Sequence, residues 1–295
     1  MAPAKAHDWL LLSLLSVLWG TAFTFTRTAL DGLPPLSVAA GRILLGALLL
    51  TAIAYGRGTP LPRDGARWRW FGVLALFGNA LPFFAIGWGQ ERVDSGLAGI
   101  LMAVMPLATL VLAHFYVESD RITAPKAAGF VLGFAGIVVL MGPEALSELG
   151  GSDSQVFRQA AVLGGALCYA LYAVLVPRAP ETPPLLLAAG SLIMASLVMV
   201  PLAVLIDRPW ELSPGGGSLL AVSWLGVVAT ALATLIYFRL LSRTGPTFVA
   251  LINFLIPLVA LAAGMLAMGE EPGKRVWLAL GLILAGLALA QQRKT

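Results

Sequence analysis

The 295 residues are 59% hydrophobic and only 12% charged, with a mean hydropathy of +0.88. A soluble domain carries about 25% charged residues, so a soluble enzyme or nucleic-acid-binding module is excluded despite the net charge of +4. The lone cysteine, Cys168, lies in an apolar run and excludes disulfides, and two distant histidines, His7 and His114, cannot assemble a metal site.

A helix that crosses a bilayer needs about 20 mostly apolar residues. Ten candidates follow in chain order: 9–30, 36–55, 70–90, 96–116, 127–142, 156–176, 184–206, 218–241, 246–268 and 275–291. The first runs through Trp19 and Phe23 without a small-residue cleavage pattern and reads as an uncleaved span. The fifth is the shortest and extends back toward Lys126. Breaks fall at Gly56–Arg69, at the acidic Pro143–Gln155 and at Asp207–Gly217. These segments are longer than barrel strands and do not alternate. The expected fold is an all-α membrane protein of ten transmembrane helices.

Lys and Arg placement orients the spans. With the N-terminus in the cytoplasm, Lys5, Arg57, Arg63, Arg67, Arg69, Arg121, Lys126, Arg178, Arg239, Arg243, Arg293 and Lys294 all fall inside. Glu144, Glu148, Asp153, Glu270 and Glu271 fall outside. Both termini are therefore expected in the cytoplasm of a multi-pass membrane protein.

The chain repeats itself. Pro34-Pro35-Leu36 with Ala39-Ala40-Gly41 returns as Pro183-Pro184-Leu185 with Ala188-Ala189-Gly190, 149 residues later. Met105-Pro106-Leu107 is answered by Ile256-Pro257-Leu258, Phe134-Ala135-Gly136 by Leu284-Ala285-Gly286, and Leu18-Trp19-Gly20 by Cys168-Tyr169-Ala170. Five spans per copy is an odd number, which inverts the second copy in the bilayer. The expected domains are two inverted five-helix repeats, 1–150 and 151–295. Repeats of this kind alternate access by rocking around a midplane site.

The Trp19-Gly20 centre, Arg42, the mid-span prolines and the Ala-Gly endings resemble the EamA-type drug/metabolite transporters, and within them the YddG-like bacterial amino-acid exporters. The resemblance implies a cavity surrounded by spans one to four and six to nine. It also implies export of neutral and aromatic amino acids. Export of another metabolite or drug class, such as a nucleoside, a sugar or a toxic compound, stays open. An intramembrane lipid-modifying enzyme would need a nucleophile–base pair or metal ligands at one depth, and no such cluster is visible. No cofactor or metal is expected. The expected partners are a small-molecule substrate and the lipid bilayer, without nucleic acid, for a monomer or a homodimer.

Ionisable residues inside a membrane are functional candidates by default. No Asp or Glu falls in the middle of any span, which argues against carboxylate-coupled ion antiport. Arg42, two turns inside span two, is either a cation pinned by helix carbonyls, Asp31 or Asp94, or a counter-ion for a substrate carboxylate; Ser191 holds the equivalent place. Asn79 and Asn253 lie a few residues before Pro82 and Pro257. A proline frees a carbonyl in the preceding turn, and an amide both donates and accepts, so each Asn suits either a zwitterionic ligand or an interhelical bond. Trp19, Phe23, Phe83, Tyr169 and Tyr172 at similar depth, with Met102, offer either an adaptable apolar pocket or lipid-facing packing. The candidate substrate-binding set is Trp19, Phe23, Asn79, Phe83, Met102, Tyr169, Tyr172 and Asn253. Gly129, Gly133 and Gly136, with Gly281, Ala285 and Gly286, allow close helix approach within the chain or across a dimer.

Overall fold

The computed structural model describes residues 5–93, 98, 101–117, 121–147, 149–150, 153–256, 259 and 274–290. Among them the chain is helical, with no strand: α1 Ala6–Leu30, α2 Pro35–Gly56, α3 Gly65–Gln90, α4 Val104–Tyr116, α5 Ala124–Ser147, α6 Asp153–Leu175, α7 Pro184–Ile206, α8 Gly216–Thr244, α9 Pro246–Ile256 and α10 Lys274–Ala290. Six of these, α1, α2, α3, α6, α7 and α8, are long and apolar enough to cross a bilayer; α4, α9 and the apolar parts of α5 and α10 are shorter.

Local chemistry sets the helix ends. α2 and α7 each begin with a proline at the first helical position, where its missing N–H costs nothing. The Asp64 carboxylate accepts the Arg67 N–H at 2.9 Å and caps α3, starting that helix five residues before its apolar run. The expected break at Pro143–Gln155 begins late, because Gly142 turns the backbone at φ 86° and Pro143 then opens a last helical turn to Ser147. His114 is half-buried at the end of α4, where its Nδ1 accepts the Ile122 N–H at 3.1 Å.

Small residues set which helices touch. α2 packs along α7, and α5 along α10; α3 packs on α6 and α7, while α1 and α2 pack on α8. A Cβ on Gly129 would stand 2.5 Å from the Gly286 carbonyl oxygen, so α5 and α10 meet backbone to backbone. The small-residue faces of these two helices are thus occupied within the chain. Polar ties close the helix ends: Asp207 accepts both the N–H and the hydroxyl of Ser37, at 2.8 and 2.7 Å. Arg243 donates to the buried Asp8 at 2.9 Å. Arg158 stacks on Trp88 and pairs with Glu91.

Two wide turns interrupt the long helices. A π segment occupies Leu76–Ala80 in α3, and another occupies Leu225–Leu232 in α8. Such segments shift side chains out of register and loosen the carbonyl ladder, and they are common at functional sites. Pro82 lies two residues beyond the first, so its missing N–H would have reached back to Gly78, where the ladder is already relaxed.

Candidate functional site

One cavity lies between the helices, with about 1180 Å³ of empty space counting its open mouth. It runs from an aromatic floor to the helix ends at Leu30, Pro35 and Gln90. α1, α2, α3, α4, α6, α8 and α9 all contribute to its wall, together with Met102 just ahead of α4.

The floor is built from rings. Tyr172 and Tyr237 stack at 5.6 Å with planes 18° apart, and Trp19 leans on Tyr237 at 5.6 Å. Trp19 Nε1 donates to the Ala229 carbonyl at 3.1 Å, and that carbonyl lies in the α8 π segment. Gly78 makes room for the stack: a Cβ there would stand 2.6 Å from Tyr172 Cδ2.

Higher on the wall sits Arg42, the single charged residue of the lining among the described residues. Arg42 is only 8% exposed. Its Nε donates to Thr230 Oγ1 at 3.0 Å, and its Cζ lies 3.9 Å from the centre of the Phe83 ring. Phe83 in turn meets Tyr169 edge-on at 6.4 Å. Thr230 belongs to the α8 π segment, and Asn79 to that of α3. The Asn79 Nδ2 group is buried without a partner, as is the Tyr237 hydroxyl. Asn253 Nδ2 donates to Met105 Sδ and to the Ala250 carbonyl, both at 3.2 Å.

Of the residues singled out in the sequence, Trp19, Asn79, Phe83, Met102, Tyr169, Tyr172, Asn253 and Arg42 line this one cavity. The Phe23 side chain, Pro257 and Asp94 lie outside the described residues. Asp31 forms no pair with Arg42; the cation is held by Thr230 and Phe83 instead. Arg27 donates to the Gln90 carbonyl at 3.2 Å. Sequence reasoning missed Thr26, Gln90 and Thr234 in the lining and Thr230 behind it. A threonine in an apolar helix carries no mark of its own, and the π segment that holds Thr230 is not written in the sequence.

Comparison with known proteins agrees with this architecture. The EamA-like transporter family matches the chain twice, over residues 8–142 and 159–291. An Escherichia coli K12 protein named as an uncharacterized inner membrane transporter, YedA, is 26% identical over 278 residues, covering 93% of this chain and 87% of its own. An Archaeoglobus fulgidus protein named as an uncharacterized transporter is 23% identical over 295 residues, 97% of this chain and 99% of its own. Protein PagO of Salmonella typhimurium is 26% identical over 260 residues, 88% and 84% of the two chains. One solved crystal structure shares the fold, with a TM-score of 0.76 at 21% identity over 97% of this chain and 98% of that one. The chain belongs to the EamA-like transporter family and is a multi-pass membrane transporter of small molecules.

Proposed function

We propose that the protein is a secondary transporter exporting small organic metabolites, chiefly neutral and aromatic amino acids, by alternating access between two inverted five-helix repeats, 1–150 and 151–295. The observation that carries this reading is the cavity itself. Helices of both halves wall it, and its lining joins broad aromatic surface to a few polar groups, the composition of a small-molecule site. Trp19, Phe23, Phe83, Met102, Tyr169 and Tyr172 would hold the side chain, and Asn79 and Asn253 the polar end.

The duplication is supported by the two family matches and by the π segments, which begin 149 residues apart at Leu76 and Leu225. It also fits the packing, since exchanging each helix for the one five later maps α1·α8 onto α6·α3 and α2·α8 onto α7·α3. Lys and Arg placement favours both termini in the cytoplasm, in an inner membrane like that named for the Escherichia coli relative. The cavity would then face outward, with the tyrosine stack as its inner gate. Tags at Arg63 and the C-terminus are expected on the cytoplasmic side and a tag at Glu148 on the other; all three on one side would end the inverted-repeat reading.

The direct test uses purified protein in liposomes with labelled phenylalanine or tryptophan. Flux is expected to follow the substrate gradient and to persist when proton and sodium gradients are collapsed. Proton-driven accumulation would reveal a coupling group, and absence of flux for every amino acid would remove the amino-acid class.

A further inference from the structure

We propose that Arg42 makes a carboxylate the required recognition group of the cavity while leaving an amino group dispensable, so that the site takes small apolar or aromatic carboxylic acids, amino acids among them, and rejects the matching amines. The inference rests on the transporter reading above and names the chemistry of its ligand.

Three observations carry it. First, Arg42 is held at one edge and one face only. Its Nε is spent on Thr230 and its plane lies on Phe83. Among the described residues the two terminal nitrogens have no hydrogen-bond or ion-pair partner, and no carboxylate reaches them. A guanidinium is a rigid fork of donors that fits two carboxylate oxygens at once. Here the fork is held in place by Thr230 and Phe83, on a residue of the cavity wall.

Second, two unsatisfied side-chain groups of the same lining can donate. Asn79 Nδ2, in a residue only 3% exposed, has no acceptor, and the Tyr237 hydroxyl has no partner. Buried donors left unpaired are costly, and a buried cation without a counter-charge is costlier still. An oxygen-rich anion answers both at once.

Third, among the described residues the opposite charge is missing from the wall: no Asp or Glu is among the lining residues. An ammonium group would find only neutral acceptors and ring faces, and an amine lacking a carboxylate would bring a second cation beside Arg42. The apolar remainder of the ligand falls against Trp19, Tyr169, Met102 and Met105.

The test measures binding of three probes of one shape to the purified full-length protein by calorimetry: L-phenylalanine, 3-phenylpropionate and phenethylamine. The two carboxylates are expected to bind within about fivefold of each other, and phenethylamine at least about 100-fold more weakly, the scale of losing a desolvated charge pair. Arg42→Gln is expected to weaken both carboxylates at least about tenfold, and Arg42→Lys, which keeps the charge and loses the fork, by less. Comparable binding of phenethylamine and 3-phenylpropionate would overturn the inference. So would an Arg42→Gln variant that binds carboxylates as the native chain does, since Arg42 would then be structural. The wild-type probe series decides the matter even where the glutamine variant does not fold. Failure of both carboxylates to bind, with protein-dependent liposome flux of an uncharged metabolite such as a nucleoside, would sink this inference and leave the transporter reading standing. Absence of any flux would sink the latter instead.

Discussion

α2 and α7 open alike and then part company. Both start on Pro-Pro-Leu, both reach Ala-Ala-Gly, and in both that glycine admits a neighbouring helix: a Cβ on Gly41 would stand 2.9 Å from Val222 Cγ1 of α8, and one on Gly190 2.7 Å from Phe71 Cγ of α3. The next residue differs. Arg42 lines the cavity, its terminal nitrogens without a partner among the described residues, whereas Ser191 is completely buried and donates back to its own helix, to the Ala188 carbonyl at 3.0 Å. The two halves share a packing scheme and diverge at the point of chemistry. Packing is alike where these helices meet their neighbours and unlike where a ligand would be read.

The largest expected effect breaks the shared part. Gly190→Val would drive two methyl groups into the Phe71 ring, which is 1% exposed and braced edge-on by Trp68 at 5.4 Å. Overpacking of a closed site costs about 1–3 kcal/mol, visible as a lower Tm and reduced yield of folded protein in detergent. Gly41→Val meets only the end of a valine side chain and should cost less. Equal losses for the two variants would mean that the α2·α8 and α7·α3 crossings are closer in tolerance than their neighbours suggest.

Next comes the asymmetric residue. Arg42→Gln should lower liposome flux of phenylalanine about tenfold, a loss of about 1.4 kcal/mol, with the protein still monodisperse in detergent. Unchanged flux would return Arg42 to a packing role and leave the two halves chemically equivalent.

Much of this was legible in the sequence because membranes simplify the problem. Helices that are apolar all round and end on Pro, Gly and charge announce themselves, and an Arg in such a helix has few innocent explanations. The Pro-Pro-Leu repeat likewise marked the two helices that pack along each other. Other features were hidden. Nothing in Leu76–Ala80 or Leu225–Leu232 spells a π segment, since the extra residue in the turn is a compromise between neighbours and not a local preference. Thr230 was invisible for that reason. Tyr237 gains its place in the floor only through its stack with Tyr172.

A smaller effect separates the ring from the scaffold at Trp19, which answers Tyr169 across the repeat. Trp19→Ala should weaken phenylalanine or tryptophan transport several-fold more than threonine transport, because an aromatic contact contributes about 0.5–1.5 kcal/mol beyond its buried area. Trp19→Phe keeps a ring while removing the bond to the Ala229 carbonyl, and so should retain most of that preference. Asn253→Ala should instead weaken large and small substrates alike. Equal losses for threonine and tryptophan in the Trp19→Ala variant would make that ring part of the floor's packing alone.

The smallest effect belongs to Ser191, the position that mirrors Arg42. Its hydroxyl bonds to a carbonyl of its own helix, an arrangement that competes slightly with the helical ladder. Removing a satisfied hydrogen bond costs about 0.5–1.5 kcal/mol, but alanine returns up to about 0.5 kcal/mol in helix propensity. The hydroxyl's own acceptor is a carbonyl that need not lose its place in the ladder. Ser191→Ala should therefore leave Tm within about 3 °C, at the insensitive end expected for a chain of this size, and leave flux of every substrate unchanged. A loss of flux at unchanged Tm would show that α7 presents this position to the ligand during the cycle. The charge asymmetry between the halves would then be a division of labour between two contacts, with Arg42 no longer acting alone.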